Sequence, residues 1–313
     1  MILSKPKFWD KKINIISIIL LPFTLIFLIF IFLRKKFIKS VSFEIPIICV
    51  GNVYIGGTGK TPTSIILAAE LLNLGRKPVI LRKYYRSHSD EYEMIKNNFK
   101  NIILCKKRIG GITNAVKQSY DSVILDDGFQ DYSVNKNLNI VCFNGNQLIG
   151  NGLVLPAGPL RESLNSLQKA NIIIINGEKN ENFEAKILKI NKNLRIFYSY
   201  YKPLNLASFK NKKLLAVVGI GNPENFFSLL KENNLNVEEQ LIFPDHYEFS
   251  KKEAFNIIQK AKHKDYKIIT TEKNYFKLKN YSLNDFNYLK VSLEIKKKEL
   301  LIEQINELYK KNN

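Results

Sequence analysis

The stretch CVGNVYIGGTGKTPTS (residues 49–64) predicts a phosphate-binding loop between a buried strand and a helix. Its GGTGKT core supplies glycines where backbone N–H groups approach phosphate oxygens, a lysine for their charge and a threonine that can reach Mg²⁺. A helix opening at Thr61 would present its positive end to the same anion. The usual pattern is G-x-x-x-x-G-K-[ST], but this chain has Tyr54 at the position of the first glycine.

We expect nucleotide contacts along the whole loop. The predicted contacts are Tyr54, Ile55, Gly56, Gly57, Thr58, Gly59, Lys60 and Thr61. Two related classes do not match: the sequence has no N-K-x-D motif to read guanine, and Ile55 stands where deviant-loop ATPases carry a lysine. An ordinary glycine turn remains the alternative.

A second motif, VILDDGFQD (residues 123–131), places two acids at the carboxyl end of an apolar strand. This arrangement resembles a Walker B motif, in which a carboxylate holds Mg²⁺ directly or through water. We therefore expect Thr61 with Asp126 or Asp127 to form a metal site. The alternative is a plain Asp-Asp-Gly turn.

Short apolar runs alternate with helical stretches along the chain. The runs expected to form buried strands are 45–50, 78–81, 101–104, 122–126, 139–143 and 171–176. This pattern predicts an α/β fold: a P-loop NTPase-like domain with a parallel sheet, followed by a second, smaller α/β domain. We place a membrane anchor at 1–40, the P-loop domain at 41–200 and the C-terminal domain at 201–313.

The amino-terminal segment 13–33 is strongly apolar. Seventeen of its 21 residues are Ile, Leu or Phe, and none is charged. This composition predicts a hydrophobic membrane helix, which either spans the bilayer or lies in its interface. A cleaved signal peptide is disfavoured because the run is long and no small-x-small site follows it.

Composition limits the partners and the compartment. The formal net charge of +20 favours anionic partners, but 41 Lys against 7 Arg indicates a compositional drift rather than a nucleic-acid interface. The three cysteines form no C-x-x-C pair, which argues against a disulfide framework and against a cysteine-based zinc site.

Further motifs follow in order after the two already described. They are LPAGPLRE (155–162), GIGNP (219–223), PDHY (244–247) and TTEK (270–273). With GNVYIGGTGKTP, DDGFQ and the apolar amino terminus, they closely resemble the tetraacyldisaccharide 4′-kinase family of lipid A biosynthesis. The resemblance covers nearly the whole chain, and that family tolerates a residue other than glycine at the position of Tyr54.

The resemblance implies a lipid kinase at the cytoplasmic face of the bacterial inner membrane. It would use ATP and Mg²⁺ to phosphorylate the 4′-hydroxyl of a lipid A disaccharide 1-phosphate at the membrane surface, with no nucleic acid and no obligate protein partner. It implies Asp90 as the catalytic base, His246 as its partner and Lys60 on the phosphates. Two glycines of the family's R-G-Y-G-R segment are missing at 82–86, and Asp131 stands where the family usually has His.

Arginines near the motifs are candidates for phosphate recognition, because lysine substitutes poorly in bidentate contacts. We expect Arg161 and Arg108 to contact phosphate, with solvated surface arginines as the alternative. Glu162 would either orient Arg161 or approach Mg²⁺. Two rival functions stay open from the sequence: a membrane-tethered P-loop ATPase that acts on a protein partner, and a nucleic-acid-binding membrane protein.

Overall fold

The computed structural model describes residues 6–245, 247–281 and 284–310, without the side chains of Ser87 and Asn280. Its contacts divide the chain into two units. The described part of the larger unit comprises 6–84, 99–200 and 293–310, and that of the smaller unit comprises 85–98 and 201–292, without the gaps just given.

The strands of the described chain follow one another in this order: β1 (Ile47–Gly51), β2 (Pro78–Lys83), β3 (Ile102–Cys105), β4 (Ser122–Asp126), β5 (Leu138–Asn144), β6 (Ile172–Asn176), β7 (Arg195–Pro203), β8 (Leu214–Val218), β9 (Val237–Ile242), β10 (Lys267–Thr271), β11 (Phe286–Leu289) and β12 (Val291–Ile295). One sheet has the order β12-β7-β6-β5-β1-β4-β2-β3, and its pairs from β7 to β3 are parallel. A second sheet, β11-β10-β8-β9, is parallel throughout and lies in the smaller unit.

The α-helices of the described chain are α1 (Ile15–Ile19), α2 (Leu21–Phe37), α3 (Lys60–Asn73), α4 (Ser89–Asn98), α5 (Arg108–Lys117), α6 (Glu181–Ile190), α7 (Pro223–Glu232), α8 (Lys251–His263), α9 (Glu272–Leu278) and α10 (Lys298–Lys310). Short 3₁₀ turns include Lys7–Asp10 and Arg86–His88. Each apolar run predicted as a strand forms one, which confirms the α/β fold with a large, mostly parallel sheet.

The apolar amino-terminal segment is broken rather than continuous. Asn14 caps α1 by accepting a hydrogen bond from the Ser17 N–H, and the chain turns at Leu20 before α2 begins. Pro22 lies in the first turn of α2, where its missing N–H costs nothing. The expected single helix over 13–33 is therefore wrong. No helix in the described ranges combines the length and the apolarity that a bilayer crossing requires.

The centre of the large sheet positions the two motifs beside each other. Strands β1 and β4 pair in parallel, and Val50 lies opposite Asp126 at their carboxyl ends. A Cβ on Gly51 would lie 2.5 Å from the Cβ of Phe129, so only glycine allows the turn after β4 to approach the end of β1 this closely. In parallel sheets, ligands bind at this edge.

Candidate active site

The loop between β1 and α3 is held by polar side chains on its inner side. Asn52 Nδ2 donates to the Gly56 carbonyl at 3.3 Å and to Thr58 Oγ1 at 3.1 Å. Gln130 Nε2 donates in turn to the Asn52 carbonyl at 2.7 Å. Gly59, with φ of +88°, adopts a left-handed conformation directly before α3, which suits glycine. The loop conformation is thus fixed by its own chain and by the turn after β4.

The outer side of the same loop is open. A Cβ built on Gly56 or Gly57 would meet no atom within 4 Å. The backbone N–H groups of Gly57, Thr58 and Gly59 donate to no acceptor within the part of the chain that the structure describes. Open space, free amides and the amino-terminal end of α3 together fit a phosphate group.

Lys60 begins α3, and its ammonium group lies 3.7 Å from Asp127 Oδ1. The side chain is largely buried, with 11% of its surface exposed. Burial lowers the pKa of Lys60, while the neighbouring carboxylate of Asp127 opposes that shift. A buried ammonium gains much from an anionic partner, so this position favours a phosphate oxygen.

Asp126 ends β4 and is fully buried. The Thr61 hydroxyl donates to its Oδ2 and the Ser64 hydroxyl to its Oδ1, each at 3.1 Å, and Arg82 forms an ion pair with Oδ2. The predicted metal ligands Thr61 and Asp126 are therefore in direct contact. A hydroxyl and a carboxylate are hard oxygen donors of the kind that Mg²⁺ accepts beside phosphate and water.

Asp127 lies on the turn after β4, with φ of +54°. Arg161 donates to its Oδ1 at 2.8 Å. Burial would raise the pKa of Asp127, but Lys60 and Arg161 outweigh this effect and hold the pKa well below its ordinary value. Asp127 is thus an ionised acid that forms ion pairs with Lys60 and Arg161. Within the described residues, no cluster of three or more His, Cys, Asp or Glu side chains that could hold a metal is found.

Arg108 occupies a different place from the one predicted. It is 5% exposed and donates to Asp131 Oδ2 at 2.8 Å and to the carbonyls of Asp126 and Asp127 at 3.2 and 2.6 Å. The expected phosphate contact is replaced by a structural one, because these protein acceptors engage both terminal nitrogens of the guanidinium. Arg108 supports the turn that carries the two acids.

Two of the predicted loop contacts also face away from the open side. Tyr54 is 1% exposed, and its hydroxyl donates to Asp10 Oδ1 at 2.8 Å. The Ile55 N–H donates to the Pro159 carbonyl at 2.9 Å. The Tyr54 side chain and the Ile55 amide are therefore engaged with other parts of the protein rather than with the space in front of the loop.

Asp90 belongs to the smaller unit and lies in the first turn of α4. It is 1% exposed, and the ammonium groups of Lys277 and Lys273 lie 3.5 and 3.9 Å from its Oδ2. The two ammonium groups thus provide the opposite charge that a buried carboxylate requires. His246 lies outside the described residues.

Several site residues were not found by sequence reasoning. Three of them lie within the quoted motifs, and their membership of those motifs could have marked them as site residues: Asn52, Gln130 and Lys273. Ser64 lies three residues after Thr61, on the same helix face, and helical periodicity could have found it. Glu162 is 2% exposed and binds Lys35 at the end of α2 at 2.9 Å, a partner that the sequence did not indicate.

The parallel sheet, the open glycine loop at the start of α3 and the paired acids at the end of β4 define a P-loop nucleotide-binding protein. A family model described as tetraacyldisaccharide-1-P 4′-kinase, LpxK, matches residues 16–310. The chain belongs to the tetraacyldisaccharide 4′-kinase family.

Relatives of this family match the chain over nearly its full length. The tetraacyldisaccharide 4′-kinase of Pelagibacter ubique is 40% identical over 99% of both chains. That of Rickettsia canadensis is 34% identical over 96% of both chains. A crystal structure of LpxK from Aquifex aeolicus in complex with ATP aligns with this chain at a TM-score of 0.71 and 24% sequence identity. The alignment includes 94% of this chain and 99% of the Aquifex chain, which shows that the two share a fold.

The buried pair of Asp131 and Arg108 gives a testable pH dependence. Burial would raise the pKa of Asp131, but hydrogen bonds from Ser133 and Arg108 outweigh it and hold the pKa below its ordinary value. Asp131 therefore stabilises the fold above its unfolded pKa of about 3.9, and this contribution is lost as the pH falls below that value. We expect Asp131→Asn to lower the free energy of unfolding at pH 7 by about 3–5 kcal/mol, because Arg108 loses its buried partner.

The measurement is urea unfolding between pH 7 and about pH 3.5, across the pKa of an unfolded aspartate. The difference in unfolding free energy between the wild type and Asp131→Asn should become smaller at the acidic end of this range. The exposed Asp265, replaced by Asn, is the matched control and should show little deficit. A deficit that stays constant or grows on acidification would contradict the assignment.

Proposed function

We propose that this chain transfers the γ-phosphate of ATP to the 4′-hydroxyl of a tetraacyldisaccharide 1-phosphate, the reaction named for its family. The observation that carries the proposal is the open loop at 56–59. Its free amides, the start of α3 and the Lys60 ammonium converge on one volume that suits the outer phosphates of a nucleotide.

The donor set at the end of β4 supports magnesium binding. Thr61 and Asp126 would hold the ion, and their direct contact at 3.1 Å supports this choice over Asp127. When bound, Mg²⁺ supplies positive charge to the phosphate oxygens. Ser64 keeps the Asp126 carboxylate in its orientation through its other oxygen.

Asp127 has a different role in this proposal. It lies between Lys60 and Arg161 and holds both cations on the side of the loop. Phosphoryl transfer is accelerated mainly by positioning and by positive charge around the transferred group. Lys60 and Arg161 would provide that charge, and Asp127 acts as the residue that positions them.

Asp90 is proposed as the general base. As the 4′-oxygen forms its bond to the γ-phosphorus, the hydroxyl proton passes to the Asp90 carboxylate and the bond to the leaving oxygen of ADP breaks. The ammonium groups of Lys273 and Lys277 lie beside this carboxylate and would hold it in place for the transfer. His246 is proposed as its partner on the family resemblance alone.

The amino-terminal helices support a location at a membrane surface. Their polar residues face inward: Ser17 is fully buried and Thr24 is 6% exposed, whereas Ile26 and Phe30 of α2 are 65% and 61% exposed. A helix whose apolar side faces solvent requires an apolar environment on that side. We propose that 13–37 rests in the interface of the bacterial inner membrane, on the cytoplasmic face where ATP is present.

The kinase assay combines labelled ATP, Mg²⁺ and tetraacyldisaccharide 1-phosphate in detergent micelles with the purified chain. We expect label on the lipid, with kcat lowered about 100-fold or more by Lys60→Ala and by Asp90→Asn, because each removes charge stabilisation or the proton acceptor. Asp90→Ala should lower kcat further than His246→Ala.

Matched controls separate these roles from general damage. Lys77→Ala changes an exposed lysine of the larger unit, and Glu93→Gln changes an exposed acid on the same helix as Asp90. Both should keep near wild-type activity. ATP turnover without labelled lipid would contradict the proposal and favour an ATPase that acts on a protein partner.

The membrane proposal is tested by flotation with anionic lipid vesicles. The double change Ile26→Asp and Phe30→Asp should abolish co-flotation, because it puts charges into the surface that contacts lipid. Leu72→Asp, at an exposed leucine of α3, is the control and should float as the wild type does. Equal flotation of both variants would rule out α2 as the membrane contact.

A further inference from the structure

The residue at the unusual position of the phosphate loop is buried rather than exposed to a ligand. Tyr54 is 1% exposed and packs with Val154 and Leu160, and Phe27 and Leu28 of α2 pack against the same cluster. A glycine here would leave this space empty. The side chain therefore joins the start of the loop to the amino-terminal segment.

A specific hydrogen bond accompanies this packing. The Tyr54 hydroxyl donates to Asp10 Oδ1 at 2.8 Å, across 44 residues of sequence. Burial and the hydrogen bond to Asp10 raise the pKa of Tyr54 well above its ordinary value, so the phenol remains a donor. The neighbouring Trp9 is itself fixed by donating to the Pro156 carbonyl at 3.0 Å. Asp10 is thus presented from an ordered turn.

The backbone of Tyr54 is tied to a second functional segment. Tyr54 and Leu160 form an antiparallel bridge, in which the Ile55 N–H donates to Pro159 and the Arg161 N–H donates to Val53 at 2.7 Å. Arg161 is the next residue along and reaches Asp127. A shift of Tyr54 would therefore move both the entry to the phosphate loop and the backbone that carries Arg161.

We propose that Tyr54 is a positioning residue for nucleotide binding, which holds the phosphate loop and Arg161 in place by its hydrogen bond to Asp10. It touches no nucleotide and acts through the loop backbone. The proposal rests on the nucleotide-binding role assigned to that loop under the proposed function. It also explains why the standard glycine is not required here: the side chain points away from the phosphate side.

The test measures the dissociation constant of a non-hydrolysable ATP analogue with Mg²⁺ by calorimetry, on the full chain in detergent. Tyr54→Phe keeps the ring and loses the hydroxyl, and Asp10→Ala loses its partner. Each should weaken binding by about three- to tenfold, which is the typical net contribution of one intramolecular hydrogen bond. The double variant should be no weaker than either single one, because both remove the same bond.

A matched control separates positioning from general stability. Tyr198 donates to Glu184 within the same unit, so Tyr198→Phe removes an equivalent phenol–carboxylate bond. It should leave analogue binding unchanged. Tyr54→Gly restores the standard motif, and the proposal expects it to bind the analogue more weakly than Tyr54→Phe does.

Two results would overturn the proposal: wild-type analogue binding by Tyr54→Phe, or an equal loss in Tyr54→Phe and Tyr198→Phe. The proposed function fails separately. If the wild type binds the analogue but transfers no phosphate to the lipid, the kinase assignment is wrong, and the comparison of variants still decides the role of Tyr54. If it transfers phosphate and Tyr54→Phe binds normally, only the positioning role is wrong.

Discussion

The buried carboxylate of Asp126 at the end of β4 is the constraint on which the rest of the site depends. A charge with no exposed surface requires several partners, and Thr61, Ser64 and Arg82 supply them. Two of these partners lie in the first turns of α3, so the acid fixes where the helix begins. The start of the helix in turn fixes the position of the glycine loop before it, and the loop amides face outward.

The amino-terminal helices are attached to the rest of the larger unit by hydrogen bonds and by side-chain packing. Thr24 of α2 donates to the Val154 carbonyl and accepts from the Ala157 N–H, both at 3.2 Å. Helix α2 therefore packs on the protein through Thr24 together with Phe27 and Leu28. Other apolar residues of the helix, such as Ile26 and Phe30, stay exposed. The segment 151–162 contacts both these helices and the start of the phosphate loop. The LPAGPLRE motif therefore connects the two.

Much of the fold was predictable, because buried parallel strands appear in the sequence as short runs of Ile, Leu and Val. The loop and its position beside the two acids were predictable for a related reason: the carboxyl ends of adjacent parallel strands meet at one edge of the sheet. Which of the two acids contacts Thr61 was not predictable from the sequence. The position of Arg108 was not, because its acceptors include two backbone carbonyls that no sequence pattern marks. The break at Leu20 was missed because apolar composition alone does not reveal a turn within a helix.

The proposed reaction requires a triphosphate with magnesium bound at Gly56–Thr61, opposite Asp126. Its most direct test is a crystal structure of this chain with Mg²⁺ and a non-hydrolysable ATP analogue. We expect the outer phosphates on the amides of Gly57–Gly59 and on Lys60, with the metal coordinated by Thr61 and Asp126. A nucleotide bound elsewhere, with the loop amides still facing solvent, would contradict it.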